Sequence, residues 1–243
     1  MSKVYADAVA TPEPTDDLTL GGSGDNVIVT AGATLKTNTI KDSGGNTIWT
    51  SDGSGNISSL NSAIASSNMV LLSTQTASNA ASLSFTSGIN NTYRLYIFKF
   101  IDINPVTDNT YFTFQGNAVG QTGYNETIHS TFWSAYHDEA DGNTDLQYEA
   151  ARDQQQGTAF QYLTNGVGNG ADENCAGELH LFNPSSTTYV KQFYSRVNEY
   201  YSGNYSIDNF AGGYFNTTGA IDDIQFKMSS GNFDGIIKMY GMG

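Results

Sequence analysis

The sequence predicts an all-β protein: a short intertwined N-terminal β region, a brief helical linker and a C-terminal jelly-roll-like β-sandwich. Three observations carry that expectation. Short apolar runs alternate with polar residues in the two-residue period of strands. Clusters of Gly, Asn, Asp and Ser separate these runs and supply the backbone angles of tight turns. Charged residues are 14% of the 243, far below the share of about a quarter usual in soluble proteins, so the charged faces that solvate surface helices are missing.

Residues 1–19 read as an extended arm, because Pro12 and Pro14 disfavour helix. Strands are expected at Asn26–Thr30, Thr34–Ile40 and Asn46–Thr50, separated by the turn signals GGSGD, AG, DSGG and SDGSG. Val27 and Val29 share one strand face with Ile28 on the other, and Leu35, Ile40, Ile48 and Trp49 are the only other sizeable apolar groups between residues 21 and 56. That is too little for a module to stand alone. Small modules without a core need disulfides, metal or oligomerisation. Cys175 is the one cysteine, and no metal-ligand constellation is present, so residues 1–56 are expected to be completed by oligomerisation.

Ile57, Leu60 and Ile64 recur at helical spacing, so residues 57–72 are expected to form a short helical linker. From residue 73 to 243 the pattern is that of a β-sandwich head. Strands are expected at Ser82–Phe85, Tyr93–Ile101, Tyr111–Gln115, Thr131–Tyr136, Leu146–Ala150, Thr158–Leu163, Gly177–Phe182, Val190–Val197, Gly213–Asn216, Ile221–Met228 and Ile236–Tyr240. The run YRLYIFKFI is almost continuously apolar, as in a central strand covered on both faces. In Ile224–Met228 the alternation is clean, with Ile224, Phe226 and Met228 inward and Gln225 and Lys227 outward.

A net charge of −14 with only ten Lys and Arg argues against nucleic-acid binding, which needs clustered cations. No apolar run reaches the ~20 residues of a membrane span, and the first residues lack an apolar secretory segment, so no membrane insertion is expected. His129, His137 and His180 lie at no zinc spacing, and acidic neighbours disfavour a thiolate at Cys175. No phosphate loop, nucleophile elbow, dinucleotide fingerprint or cofactor motif occurs. No catalytic residue or cofactor is therefore expected. In YHDEADGNTD the oxygens of Asp138, Asp141, Asn143 and Asp145 are the only candidates for a hard cation, but their spacing departs from the calcium-loop pattern and a solvated loop is preferred. Tyr and Trp join an apolar face to a polar tip, as sugar contacts require. Trp133 and Tyr136 flank the acidic loop, and Tyr200, Tyr201 and Tyr205 crowd EYYSGNYS. These five are the candidate ligand-binding aromatics, with core or interface packing as the competing reading.

Two stretches resemble structural virion proteins of tailed phages, especially those of marine bacteria. VYADAVATPEPTDDLTLGGSGDNVIVTAGATL is similar to short attachment or shaft modules of fibre-like proteins, and LLSTQTASNAASLSFTSGINNTYRLYIFKFIDINP to the final IDDIQFKMSSGNFDGIIKMYGMG resembles their β-sandwich heads. The resemblance implies a non-enzymatic homotrimer located in the virion, its N-terminal arm fixed to other virion proteins of the tail or capsid. As a short tail fibre its head would recognise a host-surface glycan or protein. A capsid decoration or head-fibre protein is the alternative. A carbohydrate-active enzyme is less favoured, because no carboxylate pair stands out.

Overall fold

The computed structural model describes residues 38–42, 44–54, 57–60 and 69–243. Every helix-or-strand element among them is a β-strand, and every strand pair is antiparallel. The chain divides into two compact units between residues 61 and 62. The expected arm and the strand at Asn26–Thr30 lie outside the described residues.

In the first unit β1 (Thr39–Lys41), β2 (Thr47–Ser51) and β3 (Ile57–Leu60) form one sheet in that order. The DSGG signal makes the first turn: the Asp42 carboxylate accepts the Gly44 and Asn46 amides at 2.9 and 2.8 Å, and Gly45 takes a φ of 81°. None of the described residues of this unit is buried. Trp49 and Ile48 are half-covered, while Ile57 and Leu60 remain 60% and 39% exposed.

The expected helix over 57–72 is corrected wherever that segment is described. Ile57–Leu60 is β3, and Val70–Leu72 opens β4 (Val70–Ala80); residues 61–68 lie outside the described set. The i, i+3 spacing of Ile57 and Leu60 imitates a helical face, but a strand sends the two to opposite sides. Ser58 also donates its hydroxyl to the Thr50 carbonyl at 3.2 Å, the competition for backbone groups that makes Ser a poor helix former.

After β4 the second unit continues with β5 (Leu83–Phe85), β6 (Leu95–Pro105), β7 (Phe112–Ala118), β8 (Ile128–Asp138), β9 (Thr144–Tyr148), β10 (Gln155–Gly157) and β11 (Gln161–Tyr162). The last five strands are β12 (Cys175–Phe182), β13 (Lys191–Tyr201), β14 (Tyr205–Phe215), β15 (Ile221–Met228) and β16 (Phe233–Met242). A nine-stranded sheet runs β10-β8-β14-β13-β12-β6-β16-β4, with β9 also paired to β8, and a four-stranded sheet runs β11-β7-β15-β5.

The two sheets meet across an aromatic core. Phe226 of β15 is fully buried and faces Phe98 and Phe100 of β6 at 5.3 and 5.2 Å between ring centroids; Phe85 and Phe112 complete its surroundings. Phe114 of β7 sits edge-on to Phe193 of β13 at 5.0 Å. The inward set expected of β15 is the one found: Ile224, Phe226 and Met228 are buried, and Gln225 and Lys227 are not. In β6, Tyr96, Phe98 and Phe100 fill the interior, while Ile97 is buried on the opposite face.

An aromatic cleft at one end of the head

The segment EYYSGNYS is not a free loop. Tyr200 and Tyr201 end β13, Tyr205 begins β14, and Ser202–Asn204 turns between them, with the Asn204 amide on the Tyr201 carbonyl at 2.9 Å. Asn204 takes a φ of 64°, the left-handed position that Asn tolerates in a three-residue hairpin.

Strand parity then sorts the five candidate aromatics. Tyr201 pairs with Tyr205, and Tyr136 of β8 pairs with Ile207 of β14. These residues alternate in phase with the buried Phe132, Ser134 and Val197, so they point to the interior side of the nine-stranded sheet. Tyr205 is edge-on to Tyr136 at 5.6 Å and to Tyr201 at 5.8 Å. Trp133 and Tyr200 fall one residue out of phase and face outward. Trp133 stacks flat on Phe210 at 3.9 Å, with the Arg196 guanidinium 5.2 Å from the Phe210 ring centre, and Tyr200 donates to Asn204 at 3.3 Å.

The three inward tyrosines bound a cleft of about 360 Å³, together with Ile207, Tyr111, Arg152 and four carboxamides, Asn109, Asn143, Gln147 and Asn165. Its size lies toward the lower end of the range of about 300–1,000 Å³ common for small-molecule pockets. Arg152 is its single charged lining residue. The guanidinium lies 4.3 Å from the centre of the Tyr111 ring and donates to the Tyr111 hydroxyl at 3.1 Å and to the Asn165 side-chain oxygen at 3.0 Å.

Beneath the cleft Asn165 joins two carboxylates. Its side-chain amide donates to Glu149 at 3.0 Å and its backbone amide to Glu199 at 2.7 Å. The same Glu149 oxygen accepts from Ser134 and Gln147. Glu199 is 1% exposed and also receives the Gly166 amide at 3.1 Å and the Asn209 side chain at 3.1 Å. Burial raises its carboxyl from 4.5 to about 7, against the opposing pull of those donors and of the Arg152 charge. Gly166 has a φ of 147°, and a Cβ there would overlap the Asn109 side chain and come within 2.7 Å of the Tyr201 ring. Glycine is what allows two cleft walls to close on that loop.

The acidic loop does not assemble a cation site in the form considered from sequence. Asp138 is committed to its own turn: one oxygen accepts the Gly142 and Asn143 amides at 2.7 and 2.9 Å, the other the Asn143 side chain at 2.9 Å. Hydrogen bonds from Asn143, then Gly142, hold its carboxyl below the usual range. Asp141 is exposed and reaches His137 at 3.1 Å, and Asp145 accepts the Leu146 amide. Among the described residues no group of three or more His, Cys, Asp or Glu is placed to hold a metal ion. Cys175 is buried, its thiol pushed well up by burial and then by Glu199.

Tyr111, Arg152 and Asn165 are cleft residues that sequence pattern does not single out. They reach the cleft from segments remote in the chain, and the only available signal was Arg152, an isolated cation in an acidic run. Comparison with protein-family models, curated proteins and solved structures finds no match to this chain. Among the described residues no helix is long and apolar enough to cross a membrane.

Proposed function

We propose that this chain is a non-enzymatic structural protein of a tailed-phage virion: a trimeric short tail fibre with an intertwined N-terminal β region and a jelly-roll-like head that contacts a host-surface glycan. The aromatic cleft carries the recognition half of this reading. Tyrosine rings offer faces for the C–H surfaces of a sugar ring, and carboxamides both donate to and accept from its hydroxyls. The carboxylates below it are poorly placed for catalysis, since Glu199 is buried and one Glu149 oxygen already takes three donors.

Trimerisation is supported by the first unit, whose described residues include none that is buried and leave Ile57 and Leu60 in the open. Assignment to a virion rests on the sequence likeness of the N-terminal run and the head. A capsid decoration protein is the second reading. It is favoured by the outer face of the nine-stranded sheet, where Tyr148, Trp133, Tyr194 and Phe182 are exposed in a surface suited to protein contact.

Sedimentation of the purified protein tests the assembly. A trimer is expected, and the pair Ile57→Asp, Leu60→Asp should disperse it while the head stays folded; a wild-type monomer at micromolar concentration would contradict the reading. Recognition is tested on host cells. Tyr205→Ala should abolish attachment, and unchanged attachment would remove the cleft from the proposal.

A further inference from the structure

We infer that the cleft selects a neutral saccharide and discriminates against sugars bearing a carboxylate or sulfate. This rests on the reading of the cleft as a glycan site, and it comes from where the nearby charges sit. Arg152 is the only cation of the lining, and its guanidinium is already engaged. It donates to Tyr111 and Asn165, lies against the Tyr111 ring and acts on the buried Glu199. Asn165, its hydrogen-bond partner, is itself bonded to both Glu149 and Glu199. One positive charge therefore faces the Glu149 and Glu199 carboxyl groups through a single bridging residue, Asn165, whose side chain reaches the first and whose backbone amide reaches the second.

The surroundings add to the negative side. Asn143, a lining residue, belongs to the loop that carries Asp138, Glu139, Asp141 and Asp145, and the whole chain has a net charge of −14. An anionic ligand entering here meets acidic surroundings, and the one cation of the lining is already shared among Tyr111, Asn165 and the buried Glu199. A neutral pyranose meets no such penalty. Its hydroxyls find phenol and carboxamide groups, which both donate and accept, and its apolar face finds the edge-on array of Tyr136, Tyr205 and Tyr201.

The test uses the full chain and matched probes. Methyl glycosides of glucose, galactose and N-acetylglucosamine are compared with glucuronic acid, galacturonic acid and galactose-6-sulfate by titration calorimetry and ligand-observed NMR, at low and at high ionic strength. At least one neutral sugar should bind, its acidic counterpart should bind about tenfold more weakly at low salt, and the neutral affinity should not change with salt. Glu149→Gln, which removes a charge while keeping an oxygen for Asn165, should narrow the gap between the two. Tyr201→Ala should lose the neutral sugar, whereas Tyr194→Ala on the outer face should not. An acidic sugar that binds as well as its neutral partner, or better, overturns the selectivity while leaving a glycan site in place. Silence across every sugar overturns the glycan reading itself.

Discussion

Glu199 gives the sharpest test of the chemistry beneath the cleft. Its carboxyl is fully buried, and burial raises its pKa from 4.5 to about 7 despite three hydrogen-bond donors. The folded chain therefore holds the proton more tightly than the unfolded chain does. The stabilisation is complete below about pH 4.5 and is lost as pH rises through about 7. A separation of about 2.5 pH units, at about 1.36 kcal/mol each, makes the whole effect ~3 kcal/mol, of which ~2.5 kcal/mol falls between about pH 5 and pH 8.

Burial also raises the Asp222 carboxyl, a shift of the same sign that both the wild type and a Glu199 variant carry, so it cancels in their comparison. Asp138 and Glu178 are held below their usual values by Asn143 and Lys99 respectively, so they titrate below the window, and Cys175 is pushed far above it. Glu199→Gln removes the titration. Urea unfolding of both proteins at the two pH values, at one fixed protein concentration, should show wild type losing ~2–3 kcal/mol more than the variant on going to the higher pH. Equal pH dependence in the two would refute the assignment.

Two further substitutions probe the packing. Phe226→Ala empties the centre of the interface between the large and small sheets and should destabilise the head by about 3–5 kcal/mol in chemical denaturation; a loss well under 1 kcal/mol would mean that the sheets do not meet there. Gly166→Ala forces a side chain into the contact between Asn109 and Tyr201 and should lower stability by about 1–3 kcal/mol while weakening sugar binding. Unaltered binding by a folded variant would detach that loop from the site.

Strand pattern was readable where one face is buried and the other wet, as in Ile221–Met228, because burial then imposes the two-residue period. It was also readable in Leu95–Pro105, where apolar residues on both faces mark a central position. It failed at Ile57–Leu60, where no residue is buried and spacing alone decides nothing. It shortened β14 to its last residues, because Gly212, Gly213 and the polar Asp208 and Asn209 hide a strand whose pairing is set by its neighbours β13 and β8. The site was half visible. Crowded tyrosines drew notice, but which of them converge is a matter of phase: Tyr200 and Tyr201 are adjacent in sequence and lie on opposite faces. Tyr111, Arg152 and Asn165 join them only through the long-range fold, which leaves no local mark beyond the isolated charge of Arg152.

The placement of β16 bears on how the head is made. This strand, the last in chain order, lies between β4 and β6, two of the earliest of the second unit, and hydrogen-bonds to both. While synthesis proceeds β4 has no neighbour in the large sheet, and Ile97 and Phe98 present an open flank. The ladder closes only once β16 is available, so until then the chain carries two unpaired strand edges of the kind through which partly folded chains associate.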